Sequence, residues 1–237
     1  PGSRRRAMEP GAGRSACDPG WPAAIFPPRH SRSHHHPDMK PLRRLLVACA
    51  VLLSSSAIAT AQPRPSTIRL VVQTSMGDIT LAIDSAHAPR TAANFLAYVD
   101  RGHYRDARFH RTVTLHNQDS SPVKIEVIQG SVSPERDKDD FPPIAIERTD
   151  VTGLRHRDGT LSMARGGPNS ATSSFFICIG NQPELDFGGK RNADGQGFAA
   201  FGVVTAGMDI VRAIQASPAS GQALTPPVRI LDIVRPR

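Results

Sequence analysis

Between residue 62 and the C terminus, few side chains are suited to act as nucleophile, general base or metal ligand. Five histidines, His87, His103, His110, His116 and His156, and one cysteine, Cys178, stand there. None of the histidines has metal-ligand spacing, so each reads as a structural or surface residue. Gly-x-Ser-x-Gly, a P-loop, His-Glu-x-x-His and Cys-x-x-Cys are all absent from the sequence. Those absences argue against the common hydrolase, nucleotide-binding, zinc-protease and dithiol chemistries. Composition and pattern alone single out no catalytic residue; an arginine such as Arg111, in the run Phe109-His110-Arg111, is by default a surface or ion-paired residue.

The elements that would carry such a residue follow from periodicity. Residues 68–73 read as a strand, Ser75-Met76-Gly77-Asp78 as a turn, and Ile79, Leu81 and Ile83 alternate as the second arm of a hairpin. Pro89 opens a helix with Ala92, Phe95, Leu96 and Val99 on one face. Residues 112–123 read as a loop, 123–129 as a strand and 131–143 as a surface loop with three prolines. Strands are expected at 159–164, 175–179, 198–204 and 228–234, a glycine-rich loop at 186–197, and a short helix at 207–214. Many strands, two helices and glycine-rich connections indicate an antiparallel barrel or sandwich.

The start of the chain reads differently. Residues 1–38 are rich in Pro, Gly and Arg, lack hydrophobic periodicity, and read as translation upstream of the true start. Met39 opens a basic stretch, Leu45 to Leu53 is apolar, and Ala59-Thr60-Ala61 closes the run. That order is a secretory signal peptide over residues 39–61, cleaved after Ala61, with residues 62–237 as the exported domain. A membrane anchor is the competing reading, but three serines interrupt the apolar run well short of the roughly 20 residues a span needs. A lipoprotein signal around Cys49 fails because most apolar residues follow that cysteine.

Removing the leader changes the charge argument. The chain carries +8, but residues 1–61 hold nine of the basic and three of the acidic residues, leaving about +2 for the rest. Nucleic-acid binding thereby loses its main support. His34-His35-His36 goes with the leader, as do Cys17 and Cys49. With Cys178 alone, the domain has no internal disulfide and depends on its core.

The motifs taken in order resemble one family. Thr74 to Ile79, the helix with Asn94-Phe95, Gly102-His103-Tyr104, Phe109-His110-Arg111 and Val127-Ile128-Gln129-Gly130 resemble the cyclophilins. So do Gly159 to Arg165, Ser173 to Ile177, Glu184-Leu185-Asp186, Phe198 to Val204 and Gly207 to Val211. The resemblance implies an eight-stranded antiparallel cyclophilin-like barrel capped by two helices, and a peptidyl-prolyl cis–trans isomerase that aids folding of exported proteins in the periplasm. The alternative on the same scaffold is a catalytically weak proline-peptide-binding or chaperone module.

It implies Arg111 as the catalytic residue. Gln129, Phe176, Arg165, Ser174, Leu185 and Phe198 are the implied substrate-binding residues. Phe176 would form the proline pocket, with Phe175 facing the opposite way along its strand. Gln129 would hold the substrate carbonyl, and the backbone of Arg165 would grip the peptide. Partners are proline-containing polypeptides and not nucleic acid. No membrane anchor remains after processing, the domain is a monomer, and neither metal nor cofactor is needed. Against the family pattern, Arg111 and Gln129 are separated by about ten extra residues. Pocket positions usually Phe and Met match Glu126 and Val127, which would remove one wall of the proline socket. A second site glutamine is Ser174, the rim tryptophan that holds cyclosporin is Glu184, and a rim aromatic or histidine is Phe198.

Overall fold

The computed structural model describes residues 67–236. The expected leader, its cleavage point and residues 1–38 lie outside the described residues. The first hairpin is β1 (Thr67–Thr74) and β2 (Gly77–Asp84), followed by helix α1 (Pro89–Asp100). Then come β3 (Ala107–Val113), β4 (Val127–Ser131), a four-residue helix α2 (Thr149–Thr152), β5 (Thr160–Met163) and β6 (Phe175–Cys178). β7 (Ala199–Ala206), helix α3 (Met208–Gln215), a two-residue β8 (Ala219–Ser220) and β9 (Ala223–Val234) complete the chain.

The strands run in the order β1-β2-β7-β5-β6-β4-β3-β9, and β1 pairs β9. That last pairing closes eight antiparallel strands into a barrel, which removes free sheet edges. β8 only extends β9 as a short hairpin. Inside, Leu70, Ile79, Leu81, Phe109, Ile128, Leu161 and Phe175 are fully buried. Helix α1 plugs one end. Its Phe95 ring lies 5.2 Å from Tyr104, 5.4 Å from Phe175 and 5.2 Å from Phe201. No side chain of its own caps α1; instead the Glu147 carboxylate accepts the N–H groups of Arg90 and Thr91, at 3.1 and 2.7 Å. That is favourable charge at a helix N terminus. Helix α3 buries Val211 and Ile214.

The expected elements are present with three adjustments. β3 continues to Val113, and the strand expected from residue 123 begins at Val127. The final strand starts at Ala223 instead of 228. Helix α2 was not expected, because four residues cannot show a helical period.

One irregularity positions the site. Alternation along β3 would put Phe109 and Arg111 on the same face. The pairing shifts register between them, on both the β4 and the β9 side. Against β4 the extra residue is His110, a β-bulge that sends Phe109 into the barrel and Arg111 outward; against β9 the extra residues lie on β9, between Ala223 and Val228. Phe109 then pairs Gly130, which pairs Phe175, along the inner face. A Cβ on Gly130 would lie 3.1 Å from the Phe109 ring and 3.2 Å from Phe175. A side chain there would crowd both rings, which would have to give by a few tenths of an ångström.

Candidate active site

On the outer face a second row crosses the sheet. Arg111 pairs Gln129, Gln129 pairs Phe176, and Phe176 pairs Ser162. These four belong to β3, β4, β6 and β5, so residues up to 65 positions apart stand side by side. Period-two alternation accounts for the split at β6: Phe175 joins the barrel core, and Phe176 joins a separate outer cluster with Val113, Ile125, Val127, Cys178 and Leu185.

Above this cluster lies a hollow of about 230 Å³. Its floor is apolar, formed by Phe176, Leu185, Val127, Ile125 and Phe198. Phe198 meets Phe176 edge to face at 5.3 Å. Arg111 and Gln129 supply polar groups at its wall. Nη1 of Arg111 donates to Oε1 of Gln129 at 2.9 Å. Nε and Nη2 of Arg111 both donate to Oε1 of Gln222, at 2.9 and 2.6 Å. The guanidinium is thus oriented by two neutral amides and not neutralised by a carboxylate. Burial and, secondarily, the charge of Arg191 hold its pKa below the usual arginine value.

Gln222 is a positioning residue that no sequence signal marks. It lies 111 positions from Arg111 and reaches it because β9 pairs β3. Its own amide donates to the Asn117 carbonyl at 2.9 Å, within the long β3–β4 connection. That connection is ordered by a buried amide, Gln118, whose Nε2 donates to the carbonyls of Thr114 and Ile125 at 2.6 and 2.7 Å. The extra residues between Arg111 and Gln129 therefore brace the site.

Behind Phe176 stands a buried His156, its ring stacked at 6.0 Å. His156 Nδ1 bonds Asp186 at 2.7 Å, and Nε2 bonds Ser162 Oγ at 2.9 Å. The order Ser–His–Asp resembles a hydrolytic triad, but Ser162 is fully buried inside a strand and no substrate carbonyl can reach it. The network instead fixes the rear of the Phe176 ring.

The structure brings Arg111, Gln129, Arg165, Phe176, Leu185 and Phe198 around one hollow. Ser174 sits in an adjoining hollow that shares Gln129, Ala164 and Arg165 with the first. β5 ends at Met163, so the backbone of Arg165 lies outside the ladder, at the junction of the two. Its side chain makes a bidentate pair with Asp194 at 2.7 and 2.9 Å and stacks over Phe198 at 5.0 Å. Glu126 corrects an expectation. Its carboxylate accepts from Gln215 Nε2 at 3.3 Å on α3, while the residues on either side, Ile125 and Val127, face the hollow. Ile125 and Val127 thus keep the wall that a glutamate in the socket would have removed. Glu184 likewise does not line the hollow; its carboxylate accepts the Lys190 N–H at 2.8 Å. Among the described residues, no cluster of three or more His, Cys, Asp or Glu could hold a metal ion.

Residues 69–235 match the family model described as cyclophilin-type peptidyl-prolyl cis-trans isomerase. The chain belongs to the cyclophilin family. Among relatives, this cyclophilin is 35% identical over 169 residues to peptidyl-prolyl cis-trans isomerase A of Dickeya dadantii, across 71% of this chain and 82% of the relative. It is 38% identical over 152 residues to an isomerase of Streptomyces antibioticus, across 63% and 83% of the two chains. Among solved structures, a cyclophilin-type isomerase of Cryptosporidium parvum, crystallised in the presence of the dipeptide Ala-Pro, superposes with a TM-score of 0.58. It is 22% identical, and the match covers 71% of this cyclophilin and 99% of that chain, a likeness of fold alone.

Proposed function

We propose that this cyclophilin accelerates cis–trans isomerisation of Xaa-Pro bonds in exported polypeptides, working as a monomer in the periplasm. The observation that carries the reading is the Arg111 guanidinium, held by Gln129 and Gln222 at the wall of a hollow with an apolar floor. Relatives named as isomerases over most of their length support the same chemistry. The leader pattern over residues 39–61 supports export.

The reaction needs no covalent step. The barrier of about 18–20 kcal/mol is amide resonance, and uncatalysed isomerisation takes tens to hundreds of seconds. Only contacts stronger in the twisted amide than in either planar form accelerate it. Twisting returns a lone pair to the prolyl nitrogen. Arg111 donates to that lone pair, and a planar amide offers no such acceptor. The proline ring sits on Phe176, Leu185, Ile125 and Val127, which removes water and strengthens the new bond. Gln129 Oε1 is occupied by Arg111, which leaves its Nε2 to donate to a substrate carbonyl. The backbone of Arg165 aligns the peptide.

A protease-coupled isomerisation assay on a short Xaa-Pro peptide tests the activity, and the reading fails if the purified protein leaves the spontaneous rate unchanged. N-terminal sequencing after expression in a Gram-negative host tests the location. Gln62 as the first residue in the periplasmic fraction is expected; an intact leader in the cytosol would refute export.

A further inference from the structure

We propose that Arg191 makes this site select Xaa-Pro segments carrying a carboxylate beside the proline, an inference that rests on the isomerase reading. Arg191 stands in the loop between Asp186 and Phe198 and forms part of the wall of the Arg111 hollow. A Cβ on Gly197 (φ +63°) would fall 2.5 Å from the Asp186 backbone, so the two ends of this loop are pinched together.

One nitrogen of Arg191, Nη1, donates to Gln118 Oε1 at 2.9 Å, Ser121 Oγ at 2.6 Å and the Val123 carbonyl. All three acceptors are neutral, and all lie on the β3–β4 connection. Nε and Nη2 have no hydrogen-bond partner among the described residues. The side chain is therefore anchored by one nitrogen, which leaves Nε and Nη2 unbonded in a residue that lines the hollow.

Charge balance completes the argument. Arg111 is held by amide oxygens only. Arg165 has spent its charge on Asp194. No carboxylate lines the hollow. Two guanidiniums thus face a half-enclosed apolar floor without a counter-ion, and such a concavity focuses positive potential on whatever enters. A proline seated on Phe176 carries its two flanking side chains at the rim. A Glu or Asp there gains a charge-assisted bond, a Lys is repelled, and a Gln is indifferent.

A purely structural Arg191 would affect every peptide alike; a selecting one changes a ratio. The measurement is kcat/KM for C-terminally amidated peptides that differ only in having Glu, Gln or Lys immediately before or after the proline. At low salt, Glu should exceed Gln by about tenfold at one of these positions, with Lys below Gln. The ratio should shrink toward one as salt shortens the Debye length from about 10 Å at 0.1 M to 3 Å at 1 M. Arg191→Gln should bring it near one, and Arg191→Lys should restore part of it. Freeing the C terminus of the Gln peptide separates sources: a gain confined to that peptide keeps the carboxylate preference and assigns it to chain ends. A wild-type Glu/Gln ratio within twofold at both positions, with no such gain, overturns the proposal. So does an unchanged ratio in Arg191→Gln. If that variant does not fold, the salt titration of the wild-type protein decides. Turnover of neutral peptides without Glu preference sinks this proposal alone, whereas no turnover of any peptide sinks the isomerase reading with it.

Discussion

Arg111 and Gln129 face each other as register partners on β3 and β4, and Nη1 of the arginine donates to the amide oxygen of the glutamine at 2.9 Å. The bond aims the guanidinium and also fixes which end of the Gln129 amide remains for a substrate. Removing the guanidinium should therefore hit the chemical step. Arg111→Ala should lower kcat/KM by about 10- to 150-fold, the value of one charged hydrogen bond made in the transition state. The far-UV circular dichroism should be unchanged. Wild-type activity in the variant would remove Arg111 from the mechanism.

Gln222 tests the positioning claim. Gln222→Ala removes the partner of two Arg111 nitrogens without touching the hollow. Bonds to a charged group are worth about 1.5–3 kcal/mol, so the loss of positioning should lower kcat by at least about tenfold with KM little changed. A rise in KM at constant kcat would mean that Gln222 binds substrate instead.

Phe176 joins stability to binding. It is 4% exposed, contacts Phe198 edge to face and is backed by the His156 ring. Phe176→Ala should cost about 3–5 kcal/mol in urea unfolding. In the assay, KM should rise by more than kcat falls, because the proline loses its floor. A loss of stability below about 1 kcal/mol would contradict the packing described.

Acid should weaken the same region through Asp186. Burial alone would raise its pKa. The His156 ring at 2.7 Å, the His156 N–H at 3.1 Å and the charge of Arg155 outweigh that and hold it below the ordinary carboxylate value. A depressed folded pKa contributes stability above the unfolded value of about 4, and this is lost as pH falls through the lower folded value. Urea midpoints at pH 5 and pH 3 should therefore drop less in Asp186→Asn than in the wild-type protein, from a lower start. Equal drops would show that other carboxylates carry the acid sensitivity.

Cyclosporin should bind weakly. By the family resemblance Glu184 matches the drug-binding rim tryptophan, and its carboxylate accepts the Lys190 N–H. The sequence has one tryptophan, Trp21, which lies outside the described residues. A drug carbonyl left without its donor costs about 1–3 kcal/mol, and a carboxylate beside an apolar macrocycle costs more. Isothermal titration should give an affinity about a hundredfold below that of sensitive relatives. A dissociation constant of about a nanomolar would show that another group supplies the missing donor.

Local period and alternation in the sequence determined an antiparallel barrel or sandwich, both principal helices and the opposite facing of Phe175 and Phe176; the choice of barrel came from the family resemblance. It also identified Arg111, Gln129, Leu185 and Phe198, through motifs whose order survives in one dimension. Tertiary structure decided the rest. The bulge at His110 that turns Arg111 outward is a register shift between strands, and a single strand carries no sign of it. Glu126 matched a pocket position by order, but its carboxylate turns to Gln215 on α3, a direction set by packing against a distant element. Gln222 and Arg191 reach the site only through barrel closure and loop folding, across more than 70 positions of chain. Hydrogen-bond partners that distant depend on which strands become neighbours, and local sequence preference does not encode that choice.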